Sequence, residues 1–111
     1  MTREFIILKE FEKNWADLDL DDDDLTDLQL FLCEHPEHGS VIPGTGGLRK
    51  MRWALKGRGK RGGARICYVN LIVHSKIYLI TAYSKNVKEN LSPDEKKTIK
   101  NMIAVLEDES K

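Results

Sequence analysis

Eight cations, Arg49, Lys50, Arg52, Lys56, Arg58, Lys60, Arg61 and Arg65, fall within eighteen residues of a 111-residue chain. They sit inside a longer stretch, Val41 to Lys88, that holds eleven lysines and arginines and no aspartate or glutamate. The segment before it carries twelve acids against three bases and the segment after it six against four, so a formal charge of zero conceals a division of −9, +11 and −2. Solvated charge runs normally mix signs to limit self-repulsion, and this one does not. It is the electrostatic footprint of a protein that binds a polyanion, nucleic acid foremost.

The residue types also limit the chemistry. Metal-dependent nucleases hold their ions with carboxylates, and none lies between Ser40 and Glu89, so neither a metal nor another cofactor is expected. RNA offers a route without metal: its 2′-OH attacks the neighbouring phosphate, leaving a 2′,3′-cyclic phosphate and a 5′-OH. Such a site needs a base for the 2′-OH, cations for the equatorial oxygens and an acid for the leaving oxygen. Within the basic segment only His74 is a histidine, and it falls at a predicted hairpin turn, so lysine or tyrosine must serve. Crowding by other cations favours the neutral form of a lysine, which puts Lys50 or Lys85 forward as the base. Arg65, permanently charged at the start of a strand, suits the phosphate. Tyr83 and Lys85 lie two apart at a strand end and so should share a face, with plain core packing the competing reading for Tyr83.

The elements that must position these groups follow from periodicity. Phe5 to Leu8 is a short apolar strand. Phe11, Trp15 and Leu18 recur at helical spacing, as do Leu25, Leu28, Leu32 and His35 behind the acidic cluster Asp21 to Asp24, where negative charge favours a helix start. Pro36 and Gly39 end that helix. From residue 41 the period becomes two: Arg49, Met51, Trp53 and Leu55 alternate with Lys50, Arg52 and Ala54, Gly57 to Gly63 is a turn rich in glycine and cations, and Ala64 to Val73 and Lys76 to Tyr83 are strands joined at His74 and Ser75. Ser92-Pro93-Asp94-Glu95 is a capping box, and Ile99, Met102, Ile103 and Leu106 follow as one apolar stripe. The expectation is a single α+β domain, β-α-α-β-β-β-α, with a small antiparallel sheet, helices on one face and the other face left basic and free.

No run reaches the roughly 18 apolar residues that a membrane span requires, and Met1 to Glu10 lacks the features of a signal peptide. A cytoplasmic protein with Cys33 and Cys67 as buried free thiols is expected. Two tempting motifs are weak. Gly44-Thr45-Gly46-Gly47-Leu48-Arg49-Lys50 lacks the spacing of a phosphate loop and reads better as a turn feeding a strand. Glu34-His35-Pro36-Glu37-His38 gathers metal-binding types, but the proline prevents a continuous helix from aligning the two histidines.

Three ordered blocks, Val41 to Lys50, Gly57 to Arg65 and Tyr78 to Asn86, together with Leu91-Ser92-Pro93, closely resemble the HigB branch of the RelE/ParE toxin superfamily. The resemblance implies a RelE-like fold and a type II toxin, monomeric on its own, that cleaves mRNA in the A site of the 70S ribosome and is silenced by a cognate antitoxin protein. On the matching positions it implies Lys50, Arg52, Arg65, Tyr83 and Lys85 as catalytic residues, and Arg49, Lys56, Arg58, Lys60, Arg61 and Asn86 as RNA-binding residues. Two other readings stand beside it. Some members of the superfamily poison DNA gyrase instead, usually without the catalytic cations that are present here, and a plain nucleic-acid-binding module would need only the charge.

Overall fold

The computed structural model describes residues 3–54, 63–85, 87–88 and 90–109. In chain order these form β1 (Glu4–Ile7), α1 (Lys9–Asp17), α2 (Asp22–Glu34), β2 (Ser40–Val41), β3 (Arg49–Trp53), β4 (Ala64–Leu71), a 3-10 turn (Ile72–His74), β5 (Lys76–Ser84) and α3 (Pro93–Glu109). The five strands make one sheet in the order β1-β5-β4-β3-β2. The architecture is α+β as expected, with two corrections. First, the sheet is mixed: β1 runs parallel to β5, and the short β2 adds an edge strand outside β3. A period-two pattern identifies a strand but carries no information about its partner, so the β1–β5 pairing was not readable locally.

The second correction concerns the layers. One core joins Phe11 and Trp15 of α1 and Leu28 and Leu32 of α2 to Met51, Ile66, Tyr68, Ile77 and Leu79 of the sheet. A separate core joins Ile99 and Ile103 of α3 to Cys67, Val69, Tyr78 and Ile80. Successive strand residues point to opposite faces, so these alternating sets mark the two sides of the sheet. Helices α1 and α2 therefore cover one face and α3 covers part of the other. The expectation of a wholly free second face fails because β4 and β5 carry apolar side chains on both sides, and each must be removed from water at about 1.5–3 kcal/mol per large side chain.

The acidic cluster begins α2 as anticipated: Asp21 accepts from the Asp24 backbone N–H at 2.8 Å and Asp24 accepts from the Asp21 N–H at 3.1 Å, a reciprocal capping box. The helix ends at Glu34, and His35 lies just outside it. Helix α1 docks through a polar contact. Between Cys67 and Tyr68 the β4–β5 register slips by one, leaving Ile80 without an opposite residue. Beside this bulge Asn14 accepts from the Thr81 hydroxyl at 2.8 Å and from the Ala82 N–H at 3.1 Å, so the irregular backbone still has its partners.

Two further fastenings define the ends of the cleft described below. On the first, the Tyr68 hydroxyl donates to the Pro36 carbonyl at 3.0 Å and accepts from the Gly39 N–H at 2.9 Å, while Arg49 donates to the Gly39 and Glu37 carbonyls at 2.7 and 3.2 Å. The turn between α2 and β2 is thereby pinned to the sheet. A Cβ on Gly39 would lie 3.0 Å from the Tyr68 ring and hydroxyl and 3.1 Å from the Lys50 carbonyl, so a side chain here would have to push the pinned Tyr68 or the β3 backbone aside by a few tenths of an ångström. On the second, Glu95 accepts from the Ser92 N–H at 2.9 Å, Ser92 accepts from the Glu95 N–H at 3.1 Å, and Lys88 bridges to Glu95 at 2.5 Å. The predicted capping box at the start of α3 is present and also ties down the segment that follows β5.

Two outcomes follow. Tyr68→Phe leaves the Gly39 N–H and the Pro36 carbonyl without their partner and should cost about 1–3 kcal/mol, and Gly39→Ala should destabilise by a similar amount through overpacking; equilibrium denaturation checks both, and an unchanged midpoint in either variant refutes the clamp. The Lys88 ammonium and the Ser92 N–H hold the Glu95 carboxyl below its ordinary value of 4.5. Its stabilisation is thus present above pH 4.5 and lost as pH falls through the lowered folded-state value. Because the side chain is 42% exposed the effect is small, and it should appear as a stability gap between wild type and Glu95→Gln that closes on acidification. A gap constant from pH 7 to pH 3 would count against it.

Candidate functional site

Lys50 lies opposite Cys67 in the β3–β4 ladder, Arg52 lies opposite Arg65, and Arg65 in turn lies opposite Tyr83 of β5. Directly opposed residues share a face, so Lys50, Arg52, Arg65 and Tyr83 all stand on the α3 side of the sheet, at the end that the helix leaves open. Two like charges facing one another across a ladder destabilise it. Among the described residues no carboxylate pairs with either arginine or with Lys50. The local cost is one that an anionic ligand would remove. These three cations line a cleft of about 490 Å³ together with His38, Ser40, Met51 and Asn90.

The floor beside the cations is neutral. Tyr83 is buried, and its hydroxyl meets the buried Cys67 thiol. Burial, then the neighbouring thiol, pushes the Tyr83 hydroxyl up to about 12 against the opposing pull of Arg65. Burial likewise pushes the Cys67 thiol up to about 12 despite the Lys50 and Lys88 ammonium groups. Tyr83 therefore stays protonated at neutral pH, able to donate a hydrogen bond and unable to act as a base, and Cys67 is an unreactive thiol. The Lys88 ammonium sits 5.0 Å from the centre of the Tyr83 ring while bonding Glu95, so the α3 cap also braces the tyrosine. Cys33, expected to be buried, is only half-buried.

The sequence-derived site is thus brought together in part. Lys50, Arg52 and Arg65 converge, and Tyr83 is buried beside Arg65 without lining the cleft. Lys85 follows the last residue of β5, in an exposed turn where strand alternation no longer applies, and it does not line the cleft. Arg49 stands on the other face, with Met51 and Tyr68, and its guanidinium donates to the Glu37 and Gly39 carbonyls. Lys56, Arg58, Lys60, Arg61 and Asn86 lie outside the described residues. The glycine-rich segment before β3 is a turn as read. The Thr45 hydroxyl closes it by donating to the Ile42 carbonyl at 2.6 Å and accepting from the Leu48 N–H at 3.1 Å, and Gly44, Gly46 and Gly47 have φ of 81°, 80° and 120°.

Three cleft residues escaped the sequence reading. Asn90 accepts from the Lys50 ammonium at 3.0 Å and so holds that side chain across the cleft mouth. Ser40 and His38 enter from the other side, ahead of the basic segment that begins at Val41. A signal for them existed. With Val41 opposite Arg49 and Ser40 opposite Lys50, the antiparallel register carries position 38 toward Arg52, and the Pro43 to Gly47 turn is what sets that register.

Comparison with known proteins bears on this geometry. Among solved structures, the fold is similar to a mutant of the E. coli toxin RelE in the free state, with a TM-score of 0.56 and 17% identity over 80% of this chain and 90% of that one. It is also similar to a chain of the intact E. coli RelBE toxin-antitoxin complex, with a TM-score of 0.54 and 15% identity over 73% of this chain and 94% of that one. At such identities these likenesses speak for the fold. The family model described as the RelE toxin of the RelE / RelB toxin-antitoxin system matches residues 8–111, nearly the whole chain, and the chain belongs to the RelE toxin family.

Proposed function

We propose that this chain is the toxin of a type II toxin-antitoxin pair and acts as a ribosome-dependent mRNA endonuclease of the HigB kind, cutting RNA through its own 2′-OH. The observation that carries the reading is the convergence of Lys50, Arg52 and Arg65 on one cleft, with Arg52 facing Arg65 across the ladder and no described carboxylate to neutralise them. A phosphate passing to a five-coordinate transition state gains negative charge on its equatorial oxygens, and fixed cations at that position stabilise the transition state more than the ground state. Arg52 and Arg65 take that role. The Lys50 ammonium, held by Asn90, supplies the proton to the leaving 5′-oxygen. Tyr83, buried beside Arg65, keeps its proton and braces the strand end that carries the cations.

The remaining cations of the segment, Lys56, Arg58, Lys60 and Arg61, are assigned to ribosomal RNA on charge alone. The reading places the protein in the cytoplasm, with no cofactor, and gives it a cognate antitoxin that masks the positive face by acidic residues or by bulk.

Mapping mRNA 5′ ends in a translating extract tests the assignment. Cuts within translated codons that leave 2′,3′-cyclic phosphates are expected; intact messages with inhibited gyrase, or intact messages with RNA binding alone, would overturn it. Arg65→Ala should lower cleavage on the order of 100-fold to 1,000-fold with the fold intact, and full toxicity of that variant in growing cells would remove Arg65 from the mechanism. Ribosome binding should weaken steeply with salt, each lost phosphate contact reducing the slope by roughly 0.7 to 0.9. A slope unchanged after all four segment cations are replaced by glutamine would exclude them from the interface.

A further inference from the structure

We propose that His38 is the general base of the cleft, taking the proton from the attacking 2′-OH; this rests on the RNA-cleavage reading above. The argument begins with what the walls offer. Of the seven described residues that line the cleft, Arg52 and Arg65 stay charged at any working pH, Met51 has no proton to exchange, and Ser40 and Asn90 do not ionise there. The Lys50 side chain is engaged as a donor to Asn90. Buried Tyr83, beside the cleft, keeps its proton. Histidine is the side-chain type that exchanges a proton near neutral pH, and His38 is the one histidine among the described residues of these walls.

Its placement is built rather than incidental. His38 is exposed, yet its backbone belongs to the turn that Tyr68 and Arg49 pin to the sheet through the Pro36, Glu37 and Gly39 backbone groups. The His38 N–H donates to the His35 carbonyl at 3.1 Å. The imidazole rests edge-on against the Phe31 ring, centroids 5.0 Å apart at 87°, and Phe31 itself packs against Trp53. A base must be held near its productive position by neighbours that are themselves fixed, and here the neighbours are α2, β3 and β4. Lys50 and Arg52 of β3 and Arg65 of β4 face the cleft side of His38, while Glu34, His35 and Glu37 share a shallower recess with it on the other side.

The step balances without any further reagent. The 2′-oxygen gives its proton to a neutral imidazole nitrogen of His38 and bonds to phosphorus, the bond from phosphorus to the 5′-oxygen breaks, and the leaving oxygen takes a proton from the Lys50 ammonium. The products are a 2′,3′-cyclic phosphate and a 5′-OH, and imidazolium and amine return to their starting forms by exchange with water.

The test is single-turnover cleavage of mRNA on programmed ribosomes by the purified full chain, from pH 5.5 to 8.5. His38→Ala should cut about 100-fold to 10,000-fold more slowly, with ribosome binding and thermal unfolding unchanged, should lose the acid limb of the pH–rate profile, and should regain rate when imidazole is added. His35→Ala, one turn away, should retain the wild-type rate. A His38→Ala protein that cleaves within tenfold of wild type with the same pH profile overturns the role of His38 and leaves the endonuclease reading standing. A wild type that yields no cyclic-phosphate ends overturns the endonuclease reading itself, and the base with it.

Discussion

The arrangement depends on β4 being apolar on both faces between Arg65 near its start and Asn70 near its end. Ala64, Ile66 and Tyr68 reach into the core beneath α1 and α2, whereas Cys67 and Val69 reach into the core beneath α3. Arg65 is the exception on the second face. Helix α3 can cover only the part of that face that is apolar, and it leaves the end occupied by Arg65 and its neighbours on β3 open to solvent. The cleft is thus the region where the sheet's second layer is missing, and its charge is the reason why the layer stops there.

The same strand also supplies the anchor for the far wall. Tyr68 emerges on the opposite face from Arg65, yet its hydroxyl fastens the turn that carries His38 toward the cleft. Arg49 does likewise from β3. A basic residue that looks like a ligand contact in sequence is thereby a structural tie, because alternation sends it to the helical side where backbone carbonyls await it. Charge count alone cannot separate the two uses; the parity of the position along the strand can.

The helices and their caps were legible because their signals are local. Asp21 to Asp24 and Ser92 to Glu95 specify capping boxes within four residues, and Phe11, Trp15, Leu28, Leu32, Ile99 and Ile103 all turned out to be buried as their spacing implied. The parallel pairing of β1, the edge strand β2 and the separation of α3 from the other helices were not legible, since each depends on which distant segment an element meets. The site divides in the same manner. Lys50 and Arg52 share a face by strand parity, which the period-two pattern anticipates, whereas Arg65 joins them through the β3–β4 register, which that pattern leaves open. His38 arrives from the turn before β2, Ser40 from the edge strand β2 itself and Asn90 from the segment before α3, and Lys85 departs because β5 ends one residue before it.

The parallel contact of β1 with β5 joins Glu4 to Lys76 and Ile7 to Leu79, segments 72 residues apart in sequence. Contacts between residues so far apart in sequence slow folding, because the entropy of closing a long loop is spent before the pairing repays it. During synthesis the first strand cannot meet its partner until Leu79 has left the ribosome. Tyr83 and the Asn90 contact to Lys50 come later still. A nascent chain of this protein therefore cannot close its cationic cleft before Asn90 has emerged.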